Sequence, residues 1–407
     1  MNLKQIVVVN DHAYISGGAA KVALSSAAAL SEGPFSVILF SAVAPVMPEL
    51  EQKCSRIVIS GQHEIITHPN PMRAGLQGIW NFRAAGLMSA LLDSLDPAYT
   101  VVHVHSWTKA LSSSVIRMAV KKGFKVICTM HDYFIACPNG GFYNYQGNQI
   151  CHEIPLSSKC MLKNCDMRSF SHKGWRIVRQ VIQKKAGLIP EGINHFIAIS
   201  DFSERILRAY LPRQAMVHRI DNPVDISKED PVRVEENEAF ISVGRLSKEK
   251  GQILFAMAAE HLGIRSIFIG EGECRLELTA ANPSAHLTGW LPAAKVQENL
   301  RTARALIFSS LLYETQGLAV LEAAAMGVPA VVPDTSAARD SVINGVTGLW
   351  FRGSDADDLA EKMRMLLNGS FAARMGRAAY ERYWRDPLTM NAHIERLIGT
   401  YQRMLEH

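Results

Sequence analysis

The stretch "YETQGLAVLEAAAMGVPAVVPD", residues 313–334, sets the architecture. Gly317 breaks helical periodicity after Glu314, and "LAVLEAAAM" over 318–326 consists of strong helix formers. Gly327 suits a helix C-cap, and "VPAVVP" then reads as a short buried strand. The same alternation runs through the chain. Upstream come "IVVVN" followed by a helix over 18–30, then "FSVILF", "YTVVHVHS", "FKVICTMHD", and "HFIAIS" before a helix starting near Asp201. After the polar stretch "VDISKEDPVRVEENE" the pattern restarts with "AFISVG", "RSIFIG", "HLTGW", "ALIFSS" and "PAVVP". Strands alternating with helices predict α/β structure with parallel sheets, and the restart predicts two of them. We expect domains over 1–220 and 221–385, with a last helix over 386–407 packing back toward the first. Its apolar residues Met390, Ile394, Leu397, Ile398, Tyr401 and Leu405 mark one face. In doubly wound sheets ligands bind beyond the carboxyl ends of the strands, so two such domains facing each other are expected to flank a cleft.

Composition narrows the function classes. A chain of 407 residues with 48% hydrophobic and 20% charged residues reads as a globular protein of two ordinary domains. No apolar run approaches the roughly 18 residues that span a bilayer, and "MNLKQ" leads directly into a strand, so a cytoplasmic location is expected. The net charge of +5 fits anionic small partners but falls short of a nucleic-acid footprint.

Two motifs carry the chemistry. Glu314 falls on a loop and Glu322 on an early turn of the following helix, whose N-terminus opens from a glycine-containing loop and suits a phosphate. "SVGRLSKEKGQ" places Arg245 and Lys250 where both can reach one dianionic group, with Gly244 and Gly251 admitting close backbone approach. Solvated surface charges are the alternative reading for all four. Gly270 and Gly272 in "FIGEGECRLEL" are read as tight-packing positions.

Taken in order, "GRLSKEKG", "IGEGECRLEL", "LTGWLP", "SSLLYETQGLAVLEAAAMGVPAVV" and "INGVTGLWF" resemble the C-terminal domain of family 4 retaining glycosyltransferases of GT-B fold. "GGAAKVALSSAAAL", "VVHVHSW" and "TMHDY" extend the resemblance over most of the chain. It implies a GT-B protein of two Rossmann-like domains, the N-terminal one on the acceptor side and the C-terminal one binding a UDP- or GDP-sugar. It implies that Arg245 and Lys250 contact the donor diphosphate, aided by the backbone at Gln316, Gly317 and Leu318. Glu322 is implied to hold the ribose hydroxyls, and Glu314 those of the transferred sugar. His131 is implied near the sugar, and Gly17 and Gly18 in the loop through which the first domain approaches the donor. Gln316 departs from the family, which often has an aromatic residue there. Retention without a nucleophilic side chain or a catalytic metal follows from the same resemblance. So does a saccharide or polyprenyl-diphosphate-linked saccharide acceptor, in surface polysaccharide synthesis. A sugar-nucleotide epimerase and a catalytically silent sugar-nucleotide-binding scaffold are the alternatives.

Two features lie outside that pattern. Cys137, Cys151, Cys160 and Cys165 cluster in one loop, 137–165, just after His131. In a reducing compartment four thiolates suit structural zinc, although their spacing is wider than in common zinc motifs. An iron–sulfur cluster and unligated thiols are the alternatives, and His152 could replace one ligand. The aromatics Tyr133, Phe134, Phe142, Tyr143 and Tyr145 either stack on acceptor sugars or fill the underside of the loop. "KNCDMRSFSHKGWRIVRQVIQKKAG" combines seven cations with Trp175, Val178 and Ile182 at helical spacing. That pattern fits a basic amphipathic helix lying on an anionic membrane, or a core-facing helix with a solvated basic back.

Overall fold

The computed structural model describes residues 3–406, and the chain divides into two compact units. One runs to Gly141, resumes over Glu153–Pro223 and ends with the segment from Met390; the other takes Phe142–His152 and Val224–Thr389. In chain order the strands are β1 (Gln5–Val9), β2 (Ser36–Ser41), β3 (Arg56–Ile59), β4 (Thr100–Val104), β5 (Lys125–Thr129), β6 (Tyr143–Asn144), β7 (Gln149–Ile150) and β8 (His195–Ala198). There follow β9 (Met216–Arg219), β10 (Ala239–Val243), β11 (Ser266–Ile269), β12 (His286–Gly289), β13 (Ala303–Ile307), β14 (Ala330–Pro333) and β15 (Gly348–Phe351). Five helices position the residues discussed below: α1 (Gly18–Leu30), α2 (Pro71–Ile79), α3 (Phe170–Lys185), α4 (Leu318–Ala325) and α5 (Met390–Glu406).

The first unit holds a seven-stranded sheet in the order β3-β2-β1-β4-β5-β8-β9, parallel throughout. The second holds a six-stranded sheet, β12-β11-β10-β13-β14-β15, also parallel throughout. The short β6-β7 hairpin belongs to the second unit. Strand order reverses between β1 and β4 in one sheet and between β10 and β13 in the other. Loops diverge at these points, opening a crevice at the carboxyl ends of the strands. Central strands such as β4, "TVVHV", are buried along their whole length, as a strand covered on both faces must be.

Each sheet has its own core. In the second unit Phe240, Phe255, Phe268, Leu306, Val331 and Phe351 pack together. In the first, Ile6, Leu24, Leu39 and Ile127 are joined by Leu397, Tyr401 and Met404 from α5. The face expected of α5 is therefore largely the observed one, with Met404 added.

The α3 helix reverses the polarity of the core-facing reading. Its buried residues are Lys173, Arg179, Gln180 and Gln183, while Val178 and Val181 are exposed. The reason is the loop beneath it, whose carbonyls need donors. Gln180 Nε2 donates to the carbonyls of Phe134, Ile135 and Ala136 at 3.1–3.4 Å, Gln183 to that of Phe134, and Arg179 to those of Thr108 and Pro138. The core-facing arrangement with a solvated basic back therefore does not describe this helix. Trp175 instead docks on α2, donating to the Gly75 carbonyl at 3.0 Å. A Cβ on Gly78 would stand 2.6 Å from the Trp175 ring and 2.7 Å from Ile65. Gly78→Ala is therefore expected to cost about 1–3 kcal/mol, visible as a lower denaturant midpoint with an unchanged slope; an unchanged midpoint would mean that the α2–α3 contact yields freely.

Candidate functional site

In the second unit, the loop after β10 and the loop after β13 meet at the strand-order reversal. Leu311 N donates to Glu249 O at 2.9 Å, and Gly251 lies so close that a Cβ there would be 2.2 Å from Ser309 O. Gly270, likewise, would drive a Cβ to 2.0 Å from Gly244 O, so its role is close packing. These approaches bring the charged side chains together. Lys250 Nζ donates to Glu314 Oε1 at 2.6 Å, and Ser310 Oγ to the same oxygen at 2.5 Å. Arg245 pairs with Glu249 at 2.5 Å. Glu249 is only 1% exposed, whereas the Arg245 side chain is 59% exposed, so the carboxylate anchors one end of an arginine whose remaining donors face solvent. Burial opposes ionisation of Glu314, but the Lys250 ammonium, the Ser310 hydroxyl and Arg245 more than offset it and hold the carboxyl below its usual range.

Glu314 itself adopts φ 49°, unusual for a residue with a side chain. Gly317 begins α4 at φ 104°, and no side chain caps this helix. Leu318 is its first residue, and Gln316 is buried beside it. Glu322 is half-buried on the next turn. It helps burial push the Tyr383 hydroxyl up to about 12. The spacing of the two glutamates thus puts one on the loop and one on the helix, as expected. Glu249 and Ser310 went unnoticed in the sequence, although Glu249 follows Arg245 at i+4.

In the first unit, Gly17 and Gly18 start α1, and a Cβ on either would meet open space. His131 follows β5 and belongs to a buried histidine group. Alternation along β4 puts His103 and His105 on one face, with ring centroids 3.9 Å apart. His105 Nδ1 is 3.0 Å from His131 Nε2, with the rings stacked. His103 bonds Tyr401 Oη at 2.5 Å and Thr129 Oγ1 at 2.7 Å, and His393 Nδ1 donates to the Asp221 carbonyl at 2.8 Å. Burial, reinforced by neighbouring histidines, lowers His131 to about 3 and places His103 and His105 well below their usual value. Burial takes His393 to about 4. His131 is therefore a neutral hydrogen-bonding group at pH 7. Asp11, buried at the end of β1, accepts from the amides of Lys109, Ala110 and Leu111 and fixes the loop after β4.

The expected zinc centre is not found. Cys151 and His152 lie in the second unit, while Cys137, Cys160 and Cys165 lie in the first. Among the described residues no group of three or more His, Cys, Asp or Glu side chains is arranged to hold a metal ion. A cation already sits among the thiols. Lys173, 1% exposed, has its ammonium 3.1 Å from Cys165 Sγ and 3.7 Å from Cys160 Sγ. Burial opposes this charge, but Cys165, Cys160 and Cys137 more than offset it and raise its pKa. The donor set does not fit a metal, and no cysteine forms a disulfide. Of the loop aromatics, Tyr133, Phe142 and Tyr143 are buried and act as filling.

Comparison with known proteins follows from these features. The family described as Glycosyltransferase Family 4 matches residues 16–228, and that described as Glycosyl transferases group 1 matches residues 224–382. The chain is 26% identical over 324 residues to a glycogen synthase of Mycobacterium tuberculosis, covering 71% of this chain and 75% of the relative. Among solved structures, sucrose-phosphate synthase from Thermosynechococcus elongatus superposes with a TM-score of 0.72 at 16% identity, over 99% of both chains. Anabaena HepE in complex with UDP-glucose superposes with a TM-score of 0.67 at 13% identity, over 98% of this chain and 99% of that one.

Proposed function

This chain belongs to glycosyltransferase family 4 and has the GT-B fold of two Rossmann-like domains, and from that membership we propose that it is a retaining hexosyltransferase. In this reading the second unit binds a UDP- or GDP-sugar and the first unit presents a saccharide or lipid-linked saccharide acceptor. The observation that carries it is the set Arg245, Glu249, Lys250, Ser310 and Glu314 at the reversal between β10 and β13, two cations steered by two carboxylates.

Arg245 and Lys250 take the diphosphate and neutralise the charge that grows on it as the glycosidic bond breaks, a contribution that is usually the largest in such reactions. The amides at Gln316, Gly317 and Leu318 add donors at the start of α4, which no side chain caps. Glu322 accepts from the ribose hydroxyls. Glu314 orients Lys250 and accepts from a hydroxyl of the sugar. Neutral His131 binds another sugar hydroxyl through its lone pair or N–H without adding charge beside an anomeric carbon that becomes positive, and His105 orients it. The leaving phosphate oxygen assists the acceptor on the face it departs from, as the resemblance to retaining members implies.

The reading extends to location. Among the described residues no helix is long and apolar enough to cross a membrane. The exposed Val178 and Val181 of α3 and the exposed Met161, Leu162, Met167 and Phe170 before or at its start favour peripheral contact with the inner face of the cytoplasmic membrane, where surface polysaccharide is extended in this reading.

Calorimetric titration with UDP, GDP and UDP-glucose tests the donor half. Wild type is expected to select one base, and Glu322→Ala to weaken that nucleotide about tenfold or more through loss of a bidentate acceptor. Nucleotide affinity unchanged in Glu322→Ala would remove the ribose assignment. Binding without transfer or donor hydrolysis would support a silent sugar-nucleotide scaffold instead.

A further inference from the structure

The buried ammonium of Lys173 is balanced by sulfur rather than by a carboxylate. Cys165 Sγ accepts from Lys173 Nζ at 3.1 Å and from Asn139 Nδ2 at 3.2 Å. Cys160 Sγ meets the same ammonium at 3.7 Å. All four residues belong to the first unit, as does Cys137, whose charge also favours the lysine cation. Two N–H donors on one sulfur, one of them charged, favour the thiolate, the nucleophilic form of cysteine. The scattered thiols are the opposite case. Burial pushes up Cys54 and Cys128 and takes Cys274 to about 11, so these three stay protonated.

Access to the cluster is narrow. Cys160 and Cys165 are 6% and 4% exposed, enough for a molecule the size of peroxide and too little for a bulky reagent. Only a thin layer covers them. Cys160 sits on the single helical turn Ser158–Leu162, too short to be stable by itself, between exposed Lys159 and Met161. Cys165 lies beside exposed Asn164 and two residues before exposed Met167. Both sulfurs already touch one nitrogen, so local opening of that turn brings them together.

We propose that Cys165 and Cys160 form a peroxide-oxidisable thiol pair, in which Lys173 and Asn139 hold Cys165 ready and Cys160 resolves it. The Cys165 thiolate attacks one oxygen of hydrogen peroxide; an S–O bond forms, the O–O bond breaks, and the departing hydroxide takes a proton from Lys173 to become water. Cys160 then attacks Cys165 Sγ; the S–S bond forms as the S–O bond breaks, and the leaving hydroxide takes the Cys160 proton. One peroxide is reduced to two waters, and the two sulfurs together lose two electrons. Lys173 ends neutral, as a buried amine without a counter-charge must.

The pair is wired to the loop after His131. Asn139 Nδ2 also donates to the Cys165 carbonyl at 2.8 Å, and the helix that carries Lys173 holds the carbonyls of Phe134, Ile135, Ala136 and Pro138 through Gln180, Gln183 and Arg179. Turning Cys165 toward Cys160 withdraws its sulfur from both Lys173 and Asn139. Oxidation therefore loosens this loop.

The inference does not depend on the sugar-transfer reading, and its test needs no substrate. Reduced full-length protein is treated with hydrogen peroxide and mapped by mass spectrometry without reduction. A disulfide joining Cys160 to Cys165 is expected, reversed by dithiothreitol, with Cys54, Cys128 and Cys274 still open to alkylation after unfolding. In Cys160→Ser, Cys165 is expected to be trapped by dimedone as its sulfenic acid. Lys173→Met and, as a milder variant, Asn139→Ala are expected to slow oxidation, the former about tenfold or more. Amide hydrogen exchange over 133–139 is expected to be about tenfold faster in the oxidised protein. Oxidation of Cys165 no faster than that of Cys54 would overturn the site, and a bond to Cys137 would overturn Cys160 as its partner. Undiminished oxidation in both folded Lys173→Met and Asn139→Ala would overturn the activation, and unchanged exchange would overturn the link to the loop.

Discussion

Lys250→Met is expected to lower sugar transfer by about a thousandfold, the upper range for removing one preorganised charge from a developing oxyanion. Lys250 supplies charge to the leaving diphosphate in the proposed mechanism, and nothing else in the loop replaces it, because Arg245 is anchored separately by Glu249. The substitution also strands Glu314, whose ionised form depends on the lysine 2.6 Å away. Breaking one side of a largely buried pair costs several kcal/mol, here reduced to about 2 kcal/mol because both side chains retain some exposure. Transfer and folding can be separated. Glu314→Gln combined with Lys250→Met removes both charges and keeps the Ser310 hydrogen bond, so stability is expected to return toward wild type while transfer stays lost. Assays of transfer and urea unfolding on the single and double variants check this. A double variant that recovered transfer would show that Lys250 acts only as the structural partner of Glu314.

The second large effect is expected with pH. In the folded chain His131 and His393 titrate near 3 and 4, and His103 and His105 well below 6.5. In the unfolded chain all four titrate near 6.5. Below that value the unfolded state takes up protons that the folded state refuses, so stability present above pH 6.5 is lost as the pH falls toward 4. Each histidine contributes a slope of up to about 1.4 kcal/mol per pH unit. Asp132 works in the opposite direction, since burial raises it to about 6 and favours its protonated form in the fold, but it is one group against four. The urea midpoint of the first unit is expected to drop steeply between pH 6.5 and 4.5, and His393→Gln to make that drop shallower. A midpoint flat across this range would mean that the histidines protonate inside the fold.

Periodicity and composition revealed most of the architecture, because buried parallel strands such as β1 and β4 are continuous apolar runs. The edge strands β3 and β9 escaped notice since each exposes part of its length and carries polar residues. Reading α3 as core-facing through its apolar spacing failed for a physical reason. Hydrophobic periodicity predicts burial against side chains, whereas this helix covers backbone carbonyls, and the residues that must face them are Gln180, Gln183 and Arg179. The cysteine spacing misled in a similar way. Cys160 and Cys165 gather around an ammonium supplied by Lys173, on the next helix, which no ligand-spacing rule includes. At the donor loops, Arg245, Lys250, Glu314 and Glu322 were visible through their order in the chain. Ser310 was not, because its bond to Glu314 depends on a loop turned by a residue at positive φ. The "HVH" of β4 did contain the signal for stacked histidines, since alternate strand residues share a face.

One feature of the chain path bears on how the protein folds. The core of the first unit closes over Leu397, Tyr401 and Met404, and Tyr401 also satisfies His103, 298 residues away in the chain. These residues lie beyond Val224–Thr389, which belongs to the second unit, so the first unit is discontinuous in sequence. Contacts of such long range form late because the entropy of closing the loop must be met first. The first unit therefore keeps an open apolar surface until that closure occurs, which makes it the part of the folding chain most prone to aggregate.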